Sequence, residues 1–383
     1  MSTELKQQYL KRIRKRYINA SKKQKSLILD EFCEVCEITR NHAIKLINLY
    51  FKEAAPKPGP KRKYGPDVDR HLRHLWECMG RINSKKMHEA MPLWLPFYHE
   101  ADIRMKKLLM EISPATIDRH LQAFRTKSRK GLSSTNPSLI KNKIPIKLLD
   151  HQITEPGFVE ADTVAHCGSS LAGDFINTLT ITDVFTGWTE NRALWKKEAR
   201  TVQGGIKSIE KALPFKILGF SCDNGNEFLN NDLHDYFSDR RRPVLFVRGR
   251  PYKKNDNCYV EQKNWTHVRE LFGYQRFEKK KLIQMMNHIY RELWNPLWNY
   301  FTPVMKLQEK TRVGGKLIKK YDTPKTPLQR AIDSGVLSDK QMDKLKETQA
   351  GYNPFDLKRE LENQLKWFFR IVEVSNTKYS KVA

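Results

Sequence analysis

A mixed α/β core, with helical segments on either side of it in the chain, is the architecture this sequence predicts. Three observations lead there. Apolar residues recur every three to four positions before residue 125, the spacing of a helix with one buried stripe. Between about 157 and 247 the pattern changes to short runs rich in Val, Ile, Thr and Phe, joined by turn residues and alternating with helical stretches. Two basic segments, one rich in Pro and Gly and the other in Ser and Asn, separate these regions.

The elements follow in order. Residues 1–53 read as helices. Lys23–Cys36 carries Ile28, Leu29, Phe32, Cys33 and Cys36 on one face, and a break at Glu37–Ile38 follows. Thr39 can cap a second helix, with Ala43, Ile47 and Tyr50 on one side and Asn41, Lys45, Asn48 and Lys52 on another. Two helices across a short turn, the second with an Asn/Lys face, fit a helix-turn-helix, and a small bundle with a solvated face fits as well. Residues 54–66 form a basic Pro/Gly linker whose Lys61, Arg62 and Lys63 are suited to phosphates. Residues 67–125 are a second helical region. Its last helix opens at Ser113–Pro114, buries Ile117, Leu121 and Phe124, and leaves Arg119 and Gln122 off that stripe. Residues 126–150 are the next linker.

Strands are predicted over Phe158–Ala165, Ile176–Asp183, Thr189–Trp195, Phe215–Cys222 and Val244–Val247, with helices over Ala199–Leu213 and Glu227–Asp239 and a long one from Asn257. Three strands in a meander, followed by alternating helix and strand, give a mixed five-stranded sheet with helices on both faces. That is the order of a ribonuclease-H-like fold, spanning 151–289. Residues 290–383 read as mainly helical, a region for DNA binding or assembly, and open on the aromatic group Trp294, Trp298, Tyr300 and Phe301.

Charge narrows the function classes. Lys and Arg total 70 against 43 Asp and Glu, a formal net charge of +27. An excess of this size points to a polyanion partner, because each neutralised phosphate releases counterions. No apolar run approaches the roughly 20 residues that cross a bilayer, and Met1–Arg16 is too charged for a secretory leader, so a cytoplasmic location is expected. Cys33 and Cys36 form a C-x-x-C near His42, but no second ligand pair follows. Their place on the face of Leu29 and Phe32 favours core packing over zinc.

Three acids stand out. Asp162 sits inside an apolar strand, Asp223 ends another, and Glu261 lies early in a helix, where Asn264, Trp265 and Val268 share its side by their offsets. Each has an ordinary explanation: a buried ion pair, an Asp-Asn-Gly turn, a surface helix position. Together, two strand-borne carboxylates and one on a following helix can meet at one sheet edge and hold hard divalent cations, Mg2+ or Mn2+, two per site. On the central strand Asp162 is the natural bridge between two ions. Glu160 shares its strand face and is read as touching the site or, in preference, pairing with a neighbouring base; Asp183 is read as structural, and Glu227 as orienting the Asp223 loop.

The segment Asp223-Asn224-Gly225-Asn226-Glu227-Phe228 resembles the second-acid motif of retroviral-integrase-like DDE recombinases, and Asp162 within EADTVAH resembles the first acid. Glu261 follows Asp223 by 38 positions, a separation similar to the family's, and Arg250–Arg269 resembles the third-acid segment of bacterial insertion-sequence transposases. The match covers about 150–275. The resemblance implies a transposase that binds double-stranded transposon ends, hydrolyses a strand to free a 3′-OH, and transfers that end into target DNA. It implies a homodimer or larger assembly, no membrane, and a place on the bacterial nucleoid. Lys253, Lys254, Lys263 and Asn264 flank the third acid and are expected to touch DNA; Tyr259 gains no nucleophile role. The retroviral N-terminal His-His-Cys-Cys module has no counterpart, so a helix-turn-helix is expected there. A transposase-derived regulator without catalysis, or a nuclease on the same fold, are the competing readings.

Overall fold

The structure is a computed structural model that describes residues 3–49, 63–124, 153–249, 257–313 and 316–380. It divides into two compact units, Met1–Lys63 and Tyr64–Ala383. The first holds α1 (Thr3–Ile18), α2 (Lys22–Cys36) and α3 (Arg40–Leu49) around Leu10, Ile13, Leu29, Phe32, Cys36, Ala43 and Ile47. Ser21 and Gln24 close a capping box at the start of α2, and Glu37 ends it in the left-handed region at φ 53°. Cys36 is buried in this core with Cys33 packed against it, on the face that also carries Leu29 and Phe32.

The second unit begins with α4 (Pro66–Cys78), α5 (Ser84–Trp94), α6 (Ile103–Glu111) and α7 (Pro114–Leu121). These helices share one hydrophobic core with the sheet region and the C-terminal helices: Leu72, Trp94 and Ile117 belong to the same cluster as Trp188, Phe272, Tyr290 and Phe368. The segment 67–125 is therefore continuous in packing with the rest. Of the two linkers, 126–150 lies outside the described residues, as does 54–62.

The sheet runs in the order β3-β2-β1-β4-β5, from β1 (Phe158–Ala165), β2 (Ile176–Asp183), β3 (Thr189–Trp195), β4 (Gly219–Cys222) and β5 (Leu245–Arg248). β1–β2 and β2–β3 pair antiparallel, while β1–β4 and β4–β5 pair parallel. This is the mixed ribonuclease-H-like arrangement. Asp183 is structural: it accepts from Thr186 N–H (2.6 Å) and Gly157 N–H (2.8 Å) and so sets the turn into β3.

The two faces of the sheet differ. Val159, Ala161, Leu179, Ile181 and Phe220 meet α8 (Ala199–Glu210) and α9 (Asn231–Ser238) in an apolar cluster. On the opposite face the alternating positions are Glu160, Asp162, Thr178, Thr180, Thr182 and Ser221, and the chain lays across it a continuous helical segment. That segment comprises α10 (Cys258–Lys263), a π-helical stretch Asn264–Arg269 and α11 (Glu270–Phe272). A second such run joins α12 (Lys281–His288) to α13 (Asn295–Phe301) through Ile289–Trp294. Along the outer edge of β3, Asn287 takes both backbone groups of Ala193 (2.8 and 3.0 Å) and Asn299 both of Thr189 (3.0 Å each). Two side-chain amides thus stand in for a missing strand.

The C-terminal region is not purely helical. A two-stranded antiparallel ribbon, β6 (Leu307–Val313) and β7 (Lys316–Tyr321), precedes α14 (Pro327–Asp333), α15 (Asp339–Ala350) and α16 (Pro354–Ser380). The signal was there: Gly-Gly between two short runs with β-branched residues is a hairpin sequence. Among the described residues no helix is long and apolar enough to cross a membrane.

Candidate active site

Asp162 and Asp223 become neighbours through strand register. β1 and β4 run parallel with Ala161 opposite Cys222, so the next positions, Asp162 and Asp223, stand side by side where β4 ends. Adjacent strands are about 4.8 Å apart. The Asp223 turn is held tightly. Asp223 Oδ1 accepts the Gly225 N–H (2.9 Å), Arg248 Nη1 donates to Asn224 Oδ1 (2.9 Å), and Asn224 Nδ2 donates to Gly249 O (3.0 Å). A Cβ at Gly225 would come within 2.6 Å of the Glu227 carboxyl and 2.9 Å of Asp223 Oδ1, so a side chain there would displace both carboxyls. Glu227, itself buried, accepts from Thr163 Oγ1 (3.0 Å) and Lys197 Nζ (3.3 Å). It ties the turn to the residue after Asp162.

Glu261 arrives by a different route. Glu160 Oε2 accepts the N–H groups of Tyr259 (2.9 Å) and Val260 (3.0 Å), which are among the otherwise unanswered donors at the start of α10. Ser221 Oγ meets Asn257 Oδ1 just before that helix (3.3 Å). Two strands therefore fix the helix that carries Glu261. Reading Glu160 as the partner of a base missed this clamp, although its period-two relation to Asp162 had placed it on the right face.

Electrostatics record the gathering of the acids. Burial, then the nearby Asp223 carboxylate, and more weakly Glu261, push the Asp162 carboxyl up to about 7, against the lowering effect of hydrogen bonds from Thr163 N–H (2.7 Å) and Asn264 Nδ2 (2.5 Å). Among the described residues no three His, Cys, Asp or Glu side chains yet close on a single point as a metal cage does. The donors are nonetheless all carboxylate oxygens, and their mutual repulsion is what a hard divalent cation relieves, so the chemistry of the set fits one.

The residues expected on Glu261's side part company where the π-helical stretch turns each residue through a smaller angle than an α-helix. Asn264 keeps that side and donates to Asp162, whose carboxyl Glu261 also influences, while Trp265 is exposed and donates to Glu270 (2.9 Å), and Val268 is buried. Lys263 is corrected. It is only 9% exposed, with its ammonium 4.1 Å from the centre of the Trp298 ring, and burial pushes it well below the usual lysine range. It is part of the packing, not a phosphate contact.

Behind Asp162 lies a buried polar relay that sequence reading missed. Asn191 Nδ2 donates to Thr180 Oγ1 (2.9 Å), and His267 Nδ1 meets Asn191 Oδ1 (2.9 Å). Thr180 is the cross-strand partner of Asp162. The run Thr178-Leu179-Thr180-Ile181-Thr182 shows the alternation that would have revealed a polar sheet face.

Elsewhere, Asn41, Lys45 and Asn48 are exposed on α3 while Ala43 and Ile47 are buried, the division the sequence predicts. Lys63, Arg119 and Gln122 are exposed; Phe124, expected on the buried stripe, is 37% exposed. Lys61, Arg62, Lys253 and Lys254 lie outside the described residues.

A relative from Sinorhizobium fredii, described as uncharacterized protein y4rM, is 32% identical over 323 residues, 82% of this chain and 91% of the relative. The chain belongs to the family of that protein. No family model matches it. Among solved structures it is similar to the HTLV-2 integrase catalytic core domain in complex with magnesium, at 17% identity over 30% of this chain and 70% of that one, with a TM-score of 0.24. It is also similar to the catalytic core domain of BIV integrase, at 13% identity over 46% of this chain and 95% of that one, with a TM-score of 0.28. The fold assignment rests on strand order and polarity.

Proposed function

We propose that the chain is a DNA transposase whose catalytic carboxylates are Asp162, Asp223 and Glu261. The observation that supports this most is the placement of the three: Asp162 and Asp223 each follow the last paired positions of β1 and β4, and Glu261 lies on a helix clamped to β1 by Glu160. The reaction is hydrolysis of a phosphodiester at each transposon end, freeing a 3′-OH. That hydroxyl then attacks a target phosphodiester, forming a new P–O bond as the target 3′ oxygen departs. Asp162, Asp223 and Glu261 would hold two Mg2+ or Mn2+ ions, which when bound supply charge neutralisation at the phosphate and lower the pKa of the attacking water.

The protein's own contribution is orientation. Asn264 and the Thr163 N–H fix the Asp162 carboxyl, and the Gly225 N–H fixes that of Asp223. The exposed faces of α3 (Asn41, Lys45, Asn48) and of the helix end at Arg119 and Gln122 are assigned to double-stranded DNA, with Lys61, Arg62, Lys63, Lys253 and Lys254. Action on paired ends calls for a homodimer or larger assembly in the bacterial cytoplasm.

The test is strand transfer by the purified chain, given a labelled duplex carrying the repeat that flanks its gene, a plasmid target, and Mg2+, Mn2+ or EDTA. Metal-dependent joined products are expected, and Asp162→Asn, Asp223→Asn or Glu261→Gln abolishes them while end binding survives. End binding with no cleavage or joining under any metal would sink the catalytic reading and leave a regulator; cleavage without joining would leave a nuclease.

A further inference from the structure

The β6–β7 ribbon is unlike any other part of the described molecule. Every residue from Leu307 to Tyr321 whose side chain is described is exposed, and these occupy both faces. An isolated two-stranded hairpin is marginal in water. None of the described side chains of this one is buried, and Ile318 is 52% and Tyr321 43% exposed. Its sequence, LQEKTRVGGKLIKKY, carries five Lys or Arg against one Glu. Arg312, Lys319 and Lys320 have no carboxylate partner among the described ion pairs.

The root of the ribbon, in contrast, is firmly held. Lys306 and Asp322 exchange backbone and side-chain bonds (2.9 and 2.7 Å), and Arg330 pairs with Asp322 (2.7 Å). Lys306 Nζ donates to Val184 O at the β2–β3 turn (2.6 Å). The result is a basic arm about 20 Å long on a rigid base.

We infer that this ribbon is a DNA-binding arm that lies in the major groove of a duplex and contacts its backbone through Arg312, Lys319 and Lys320. The major groove of B-DNA admits a two-stranded β-ribbon, whose two exposed faces then meet the groove walls. The contact is to phosphates, so it is independent of sequence and positions the duplex on the protein. This inference rests on the transposase reading for its substrate and names the element, residues and groove within a region for which the sequence left DNA binding and assembly both open.

The experiment is equilibrium binding of the full chain, in EDTA, to a random-sequence duplex and to its own end duplex as salt is raised. It compares the wild-type chain with the triple variant Arg312→Ala, Lys319→Ala, Lys320→Ala. The variant is expected to lose at least about tenfold in affinity on both duplexes, and its log–log salt slope to become shallower by roughly two to three. Mass spectrometry of the wild-type chain is expected to show Lys319 and Lys320 protected from acetylation by either duplex. A variant with unchanged affinity and slope, and lysines equally reactive with and without DNA, would overturn the arm while leaving the transposase reading intact. So would a change of oligomeric state with unchanged DNA affinity, which would make the ribbon an assembly contact. Failure of the wild-type chain to bind any duplex would remove both.

Discussion

The two faces of the central sheet are built from the same strands and obey opposite rules. On one, Val159, Ala161, Leu179, Ile181 and Phe220 pack against α8 and α9 in an apolar cluster, with the Arg192–Ser208 hydrogen bond (3.1 Å) at its β3 side. On the other, Glu160, Asp162, Thr178, Thr180, Thr182 and Ser221 each meet a hydrogen-bond partner. Burial of apolar area stabilises the first without specifying direction. The second gains little net energy per bond, about 1 kcal/mol, but each bond has a geometry. The lesson is a division of labour: one face holds the fold together, and its reverse aims the carboxylates.

Substitutions on each face test this division. Phe220→Ala removes a fully buried ring that touches Phe228, Phe237 and Phe246. It should cost about 3–5 kcal/mol of stability, read by denaturant melting, and leave the activity of the folded fraction near normal. Asn264→Ala on the polar face should do the reverse: strand transfer falls about 10–100-fold, as for loss of a group that orients a metal ligand, with little change in melting. If Asn264→Ala destabilised as much as Phe220→Ala, the division would fail.

A smaller effect concerns pH. The Asp162 carboxyl is raised to about 7 in the folded chain, above its unfolded value, so the folded state binds more protons between about pH 4 and 7. In EDTA, the stability that Asp162 contributes should therefore be greatest below that window and fall as pH rises through it, against the opposite trend of the buried, neutral His166 and His267. Asp162→Asn should melt higher than wild type at pH 8 and lack that fall, and Mg2+ should stabilise the wild type alone. A profile unchanged by Asp162→Asn would mean that this carboxyl is not under the strain described.

How much of this was legible in the sequence depended on whether the pattern was local. β1, β2 and β3 fall where their alternation predicts, because each residue's face follows from its neighbours. β4 is shorter than the apolar run from Phe215, since Phe215 and Ile217 are buried before the ladder to β1 begins at Gly219. The helix expected from Glu227 starts at Asn231. Gly225 to Asn230 are spent on the turn that holds Asp223, and Asn230 then caps the helix through Leu233 N–H. The three acids could be picked out by context, but the Glu160 clamp and the Asn191–His267 relay join residues 76 to 100 apart in the chain. The π-helical turn after Glu261 has no simple sequence sign, and Lys263, which precedes it, is reassigned by its burial against Trp298, a residue 35 positions away.

The amides of Asn287 and Asn299 on the rim of β3 have a further consequence. Backbone groups that already have partners offer nothing for a neighbouring chain to complete, and at the opposite rim β5 is only four residues long. At Thr189 and Ala193, therefore, a second copy finds no open backbone group to pair with along β3. A rim whose donors and acceptors are already engaged at those positions leaves a neighbouring copy only side chains to meet there.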